Sequence, residues 1–329
     1  AIVVAIGADL LDLSAFPGLG RGKIPDIYNS YEFERMAASN GYTGGHIIAQ
    51  ATGKAPQSVA IVHCVGSLDK NYREYCSGIC CQTAFKFNHL IREHLPEIHV
   101  YHFFKEIVIP GKEGYALYQE ARDHGNTRLI RYRSEDDLQI LSAAPGTSIR
   151  WSDVTGHQEE VGVEMVILCP AVVPAADAGA IGKLLEIKQD RFGFFDLSHD
   201  RLDAARSSIK GIYIPGSCQS PMDMQQAFSQ GTAVAGYILS ALVEGKELTI
   251  EPIHAVVDEA RCSGCRICIS ICPFKAIAAS PLSADKSWVN PVLCAGCGTC
   301  VAVCPTGAMK GNHYTNEAIL AEIEGVLAA

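Results

Sequence analysis

Cysteine is the residue type that could do chemistry in this sequence. All but Cys169 and Cys218 of its fourteen cysteines fall in three tight groups, at 64–81, 262–272 and 294–304. Thiolates are soft ligands for iron and zinc, and such clustering is how metal ligands are arranged. Residues 262–273 read C-S-G-C-R-I-C-I-S-I-C-P and residues 294–305 read C-A-G-C-G-T-C-V-A-V-C-P. Three thiolates spaced by two residues can wrap one four-iron cubane, because the short loop turns their sulfurs inward. A fourth, three residues on, lies on the following helix and ligates the other cluster. The spacing therefore predicts one cluster on Cys262, Cys265, Cys268 and Cys304, and a second on Cys294, Cys297, Cys300 and Cys272.

Both segments have the C-x2-C-x2-C-x3-C-P run of bacterial ferredoxins. Pro273 and Pro305 stop the chain continuing in its previous geometry, and Gly264, Gly296 and Gly298 let backbone approach the inorganic sulfides. Zinc sites or disulfide pairs are the alternative for these eight residues, but two such runs leave it little room. Two adjacent clusters suit one-electron transfer and do not say what lies at either end. The module is expected over 251–313, followed by an amphipathic helix over 314–329 that docks on this chain or on a partner.

The elements that must position the rest lie in residues 1–250. Apolar runs at 1–8, 58–66, 98–104, 165–173 and 211–217 read as strands, and helical stretches, notably 81–95 and 224–244, sit between them. Strands alternating with helices predict parallel sheets of the nucleotide-binding type. Two pieces resemble flavoproteins of the thioredoxin-reductase class: the opening strand ending in Ile6-Gly7-Ala8, and 211–239, where a strand ends at Gly216 and the next helix points its N-terminus at a flavin. Free N–H groups and a partial positive charge there favour the electron-rich edge of a reduced flavin. An ordinary strand–helix unit is the alternative. The G-x-G-x-x-G that cradles a pyrophosphate is missing, and Gly18-Leu19-Gly20-Arg21-Gly22 reads as a loop. The ADP half of a flavin site is therefore expected outside this chain, on another polypeptide or in a longer protein of which this is the C-terminal part. The absent initiator Met points the same way.

The third group, H-C-V-G-S-L-D-K-N-Y-R-E-Y-C-S-G-I-C-C-Q-T-A-F-K over 63–86, sets Cys64 at a strand end and Cys80-Cys81 at a helix start. A redox dithiol, a zinc site, buried thiols and a cubane all remain open on spacing alone, though adjacent Cys80 and Cys81 are poor partners for each other, since a vicinal disulfide is strained. H-C-V-G-S followed by Y-C-S-x-x-C-C and A-x-K resembles the A-type component of heterodisulfide reductase and its bacterial relatives, as does the order of this group, the 211–239 segment and the double ferredoxin run. The resemblance covers nearly the whole chain. It implies a further, non-standard [4Fe–4S] cluster on Cys64, Cys76, Cys80 and Cys81 close to FAD, and a lysine, here Lys86, at the flavin N5. Together with the resemblance to thioredoxin-reductase-class flavoproteins, it implies flavin contacts from Gly7, Lys86, Gly216, Ser217, Asp223, Met224 and Gln225. The chain departs from the family in lacking its N-terminal region and in reading Ser77-Gly78-Ile79 where the family often has S-R-x.

The fold class expected is α/β: thioredoxin-reductase-like FAD/NAD(P)-type nucleotide-binding domains, incomplete and with an inserted subdomain near 55–165, followed by an α+β bacterial 2[4Fe–4S] ferredoxin domain. The resemblance implies three [4Fe–4S] clusters, FAD, and an electron-transfer role in a heterodisulfide-reductase-like oxidoreductase complex, with electron bifurcation as an option the family offers. Its partners would be B- and C-type subunits, ferredoxin, and a hydrogenase, formate dehydrogenase or similar donor. Part of a quinone-interacting oxidoreductase of sulfur metabolism, a flavin-free electron-transfer scaffold and an NAD(P)H-dependent reductase are the competing readings. A net charge of -9 argues against nucleic acid, no run of 18 apolar residues suggests a span, and the expected location is the cytoplasm. Cys169 and Cys218 read as packed thiols, Gly44-Gly45 as a turn, and His46 and His63 as non-ligands.

Overall fold

The computed structural model describes residues 1–143, 146–153, 155–199, 203–241, 253–312 and 314–327. The expected boundary at 250/251, the last residues of the helix expected over 224–244 and the final residues 328–329 lie outside the described residues. The chain divides into a larger compact unit, Val3–Ala205 with Tyr213–Ala233, and a smaller one, Ala1–Ile2, Arg206–Ile212 and Val234–Ala329.

The larger unit is built on a five-stranded sheet, in the order Ile27–Asn29, Met165–Pro170, Ser58–Val65, His99–Phe104 and Thr127–Arg131. All its neighbours pair in parallel. The sequence of these strands explains their place: a parallel strand covered on both faces must be apolar throughout, not alternating. Val59 to Val65 are almost wholly buried, and their alternation sorts them between two layers. Val59 and Ile61 pack with Ala84, Phe87 and Ile91 of the Cys80–His94 helix. Ala60, Val62 and Val65 pack with Leu138, Ile149 and Trp151 of an antiparallel meander, Leu138–Ala143, Gly146–Ser152 and Gln158–Val163. Ala84, Phe87 and Ile91 recur at three and four residues, which is the stripe that docks a helix on a sheet. Truncating Phe87 to Ala would cost about 3–5 kcal/mol.

Several elements go beyond the sequence expectations. The Ser30–Ala37 helix begins with a capping box, Asn29 accepting from Glu32 N and Glu32 accepting from Asn29 N, a signal visible in Asn29-Ser30-Tyr31-Glu32. The Lys112–Asp123 helix and the Thr127–Arg131 strand carry too many charged residues to stand out as apolar runs, while Ile27–Asn29 is only three residues long and the meander strands mix apolar with polar residues. The opening strand expected over 1–8 is two pieces, Ile2–Val3 and Ala8–Leu10, because Gly7 takes φ +72° and turns the backbone out of the extended region. The strand expected over 211–217 ends at Tyr213, and Gly216–Cys218 is a turn of 3-10 helix.

The smaller unit holds two short antiparallel ladders, Ala255–Val257 with Met309–Gly311 and Ile277–Ala279 with Ser287–Val289. It also holds two short helices, Ile267–Ile271 and Thr299–Ala302. The tail forms a helix over Asn316–Leu327 in which no described residue is buried.

Two histidines lie fully buried inside the parallel sheet. His102 Nε2 lies 3.3 Å from Asn88 Oδ1, and His63 Nε2 lies 2.9 Å from His102 Nδ1. With the Asn88 carbonyl as acceptor, both rings carry their proton on Nε2, an assignment made from the network. Burial holds His63 down to about 3 and His102 well below the ordinary histidine value. Both must stay neutral in the fold, while the unfolded chain protonates them below about pH 6.5. Their contribution is therefore complete above that pH and is lost as pH falls towards the folded values. We expect urea unfolding midpoints to fall between pH 7 and pH 5, at roughly 1 kcal/mol per pH unit for each histidine. His102→Asn should lower stability at pH 7 and flatten that slope.

Candidate functional site

The smaller unit brings the two cysteine runs into each other's company. Cys262, Cys265, Cys268 and Cys304 line one small pocket. Cys272, Cys294, Cys297 and Cys300 line another, of about 420 Å³. Each set thus takes three thiols from one run and the last thiol of the other. The two loops share a backbone solution: the residue before each short helix, Arg266 at φ +59° and Gly298 at φ +74°, is left-handed, which turns the chain from the loop into the helix. Donors already face the sulfurs. Ala276 N–H points at Cys272 Sγ at 3.4 Å and Ala255 N–H at Cys294 Sγ at 3.5 Å. Thr299 Oγ1 lies 3.4 Å from Cys297 Sγ, and that contact holds the Cys297 thiol below its ordinary value. Gly264 and Gly296 are required by space as well as by φ. A Cβ at Gly264 would run into the Asp285 carbonyl oxygen, and one at Gly296 would lie 2.7 Å from the Ile253 carbonyl oxygen.

In the larger unit, Cys64 is the penultimate residue of the central strand, Ser58–Val65, and Cys80 and Cys81 open the helix that follows. Ligands of open α/β sheets bind beyond the carboxyl ends of the strands, and here a strand–loop–helix crossing at that end presents sulfur. The loop is strained and held. Cys64 has φ +58° and Leu68 φ +55°, a conformation other residues than glycine rarely adopt, with Gly66 between them at φ +73°. A Cβ on Gly66 would run into the Leu11 side chain and approach the Phe16 ring. The stretch carrying Cys76 is tied down by Ser77 Oγ, which accepts Val172 N–H at 2.9 Å, and by Tyr75 OH, which donates to Val172 O at 2.7 Å.

Cys64 Sγ and Cys81 Sγ both reach the Glu106 carbonyl at 3.6 Å. Val108 N–H points at Cys81 Sγ at 3.5 Å and Gly78 N–H at Cys76 Sγ at 3.3 Å. The mutual hydrogen bond of Cys64 and Cys81 pulls the Cys64 thiol below its ordinary value and holds Cys81 above its own. Burial raises Cys76 and pushes Cys80 up to about 12, with the neighbouring Cys64 adding to the effect on Cys80. Buried thiolates this close repel one another, and a cationic iron core is what relieves that repulsion. The donor chemistry of all three sulfur sets suits an iron–sulfur cluster; the two ferredoxin-type sets each line one pocket, and N–H groups point at Cys272, Cys294, Cys76 and Cys81. Among the described residues no three His, Cys, Asp or Glu side chains gather tightly enough for a single metal ion. A cubane places each thiolate on a different iron and so takes a wider set.

The residues expected at the flavin are spread differently. Lys86 is half-exposed on the Cys80–His94 helix and pairs with Glu34 Oε1 at 2.7 Å. Gly7 has φ +72° and Gly216 φ +83°. Gly216 N–H donates to Gln230 Oε1 at 2.7 Å, and Ser217 lies in the 3-10 turn over Gly216–Cys218. Asp223 caps the Met224–Ala241 helix, accepting Gln226 N–H at 2.7 Å, while Gln226 Oε1 accepts Asp223 N–H. That box leaves the N–H groups of Met224 and Gln225 uncovered by it, a usable helix N-terminus. The segment joins the opening strand through Val4 N–H to Tyr213 O at 2.8 Å and Cys218 Sγ to Val4 O at 3.3 Å. Cys218 and Cys169 are both packed thiols at 2% exposure. The contributions of Lys105, Glu106, Val108 and Glu135 to the Cys64 site carried no sequence signal, since they act from strand ends brought together only by the sheet.

A parallel nucleotide-binding-type sheet with sulfur at its carboxyl edge, joined to a module of paired cysteine runs, defines an iron–sulfur electron-transfer protein. Residues 261–308 match the 4Fe-4S dicluster domain family. The chain is 35% identical to the A-type iron–sulfur subunit of CoB–CoM heterodisulfide reductase from Methanocaldococcus jannaschii, over all of this chain and 50% of that protein. It is 35% identical to the second such A-type subunit of Methanopyrus kandleri, over 84% of this chain and 42% of that protein. It is 34% identical to the A-type subunit of the H2:CoB-CoM heterodisulfide,ferredoxin reductase of Methanothermobacter thermautotrophicus, over 99% and 49%. The chain belongs to the family of heterodisulfide reductase A-type subunits and spans about half the length of these relatives. Looser likenesses are to thioredoxin reductase of Lactococcus lactis, with 15% identity, a TM-score of 0.44 and coverage of 73% of this chain and 65% of that one. LpdA of Mycobacterium tuberculosis gives 17%, 0.46, 75% and 44%. No helix among the described residues is long and apolar enough to cross a membrane.

Because Gly264 faces a backbone carbonyl, Gly264→Ala should destabilise the module by about 1–3 kcal/mol from backbone strain alone. The visible absorbance of its clusters, followed during anaerobic heating, should bleach at lower temperature than in the unaltered chain.

Proposed function

We propose that this chain is the electron-relay part of a heterodisulfide-reductase-like oxidoreductase, carrying electrons between a flavin and three [4Fe–4S] clusters. The observation that carries the reading is the pairing of sulfur sets across the two ferredoxin runs, Cys304 with Cys262, Cys265 and Cys268, and Cys272 with Cys294, Cys297 and Cys300. Those sets hold two clusters, and Cys64, Cys76, Cys80 and Cys81 hold the third. The flavin, when bound, supplies the conversion between electron pairs and single electrons. Gly7, Gly216, Ser217, Asp223, Met224 and Gln225 form its resting edge, with the helix N-terminus at Met224 favouring negative charge. Lys86 is the side chain assigned to its N5, reached by exchanging its partner Glu34. The protein tunes clusters through burial and N–H donors to sulfur, as at Val108 for the Cys64 site and at Ala255 and Ala276 for the cluster on Cys294, Cys297, Cys300 and Cys272. The physiological context is that of the relatives named for ferredoxin, H2 and formate. The partners are then B- and C-type subunits, a hydrogenase or formate dehydrogenase, and ferredoxin. Bifurcation of the flavin's electron pair is the finer form of the same reading.

Anaerobically purified chain should contain about twelve iron and twelve sulfide, and supplied FAD should be retained as yellow flavin after the clusters are destroyed with acid. Iron for only two clusters would remove the third, and failure to retain FAD would leave a flavin-free relay. Cys272→Ala should disturb the cluster on Cys294, Cys297 and Cys300 while leaving the one on its own run. The reverse outcome would overturn the crossed assignment.

A further inference from the structure

The loop that delivers Cys64 is pinned from outside by an ion pair to which the relay function assigns no role. Lys105 follows the His99–Phe104 strand, and Glu135 opens the short 3-10 helix before the meander. Their side chains are each 5% exposed and meet at 2.8 Å between Nζ and Oε2. Both also hold the loop: Lys105 Nζ donates to Ser67 O at 2.9 Å, and Glu135 Oε1 accepts Gly66 N–H at 2.6 Å. On the other side of Cys64, Tyr132 OH donates to His63 O at 2.7 Å, and the Tyr132 ring lies 5.8 Å from Lys105 Nζ. Arg131 Nε donates to Lys105 O at 2.9 Å, and Asp69 Oδ2 stands 4.0 Å from Lys105 Nζ.

Cys64 is therefore fixed in its left-handed conformation by bonds on both flanks, none of them made by its own side chain. Hydrogen bonds of the same geometry could be made by uncharged groups. A buried ion pair is costly to desolvate, and losing one partner leaves the other charge stranded. Its retention here places two opposite charges beside the loop that supplies one sulfur of the site. Each electron taken up by a cluster adds one negative charge, which a nearby cation favours and a nearby anion opposes.

We propose that Lys105 and Glu135 are positioning residues for the Cys64 sulfur whose opposed charges also set the reduction potential at the Cys64, Cys76, Cys80 and Cys81 site, Lys105 raising it and Glu135 lowering it. The inference rests on the third cluster proposed above, and its test separates the two.

The full chain is reconstituted anaerobically with iron and sulfide and titrated with dithionite in the presence of mediators, with reduced clusters followed by electron paramagnetic resonance. Comparison with Cys76→Ala identifies the signal of this site. Absence of any such difference signal, with iron for two clusters only, sinks the third-cluster reading itself. With that signal present, K105M should shift its midpoint to more negative potential and E135Q to more positive. The K105M/E135Q double variant should lie between them, and the ferredoxin-type clusters should stay unmoved. Shifts of the same sign, or no shift in either single variant, overturn the inference. If a single variant sheds this cluster's iron, recovery of the iron in the double variant supports it, because only a stranded charge distinguishes the two. Loss in the double variant as well overturns the charge role.

Discussion

Sulfur anions packed beside one another repel, and the arrangement of this chain is governed by how that repulsion is contained. In the smaller unit each cavity is completed by a cysteine from the other run, so neither loop can close its sulfur set alone. Folding one half of the module requires the other, and the two short ladders, Ala255–Val257 with Met309–Gly311 and Ile277–Ala279 with Ser287–Val289, lock them together. The apolar interior is small, centred on Ala255, Ile277, Val289 and Met309 with Cys268 and Cys300 among them. Domains with so little core depend on metal for their stability.

The larger unit contains its thiols differently. There the sheet supplies rigidity: a fully buried strand carries Cys64 to its carboxyl end, and a helix docked by Ala84, Phe87 and Ile91 carries Cys80 and Cys81 to its first turn. Non-local groups then close the site. Glu106 and Val108 come from beyond the next strand, Ser77 anchors to Val172, and Lys105 with Glu135 clamps the loop. The place where a nucleotide-binding crossover would present backbone N–H groups to phosphate presents thiols, with N–H groups aimed at sulfur. Groups distant in the chain thus meet beside Cys64 at the carboxyl edge of a close-packed sheet.

What could be read from the residues in order was what depends on local spacing. The C-x2-C-x2-C-x3-C-P runs fix which thiols share a loop, and the loop geometry they need is local, as the left-handed Arg266 and Gly298 show. The buried strands at 58–65 and 99–104 were legible because a two-faced strand is apolar at nearly every position, and the helix over Cys80–His94 because its stripe recurs at helical spacing. The crossing of Cys272 and Cys304 followed from the rule for paired runs and coincides with the two cavities.

Tertiary structure alone decided the rest. The Gly7 break in the opening strand, the edge strands and the meander are not visible in the sequence because short, charged or half-exposed segments carry no period long enough to read. The pairing of Lys86 with Glu34, the buried His63–His102 contact and the Lys105–Glu135 clamp join residues 52, 39 and 30 positions apart. No rule of spacing connects such pairs. The sheet brings them together because parallel strands are joined by long crossovers, so neighbours in space are distant in the chain. The sequence by itself determined which sulfurs exist and which share a loop; the sheet order and its strand ends determined what surrounds them, and with it the charge at the Cys64 site.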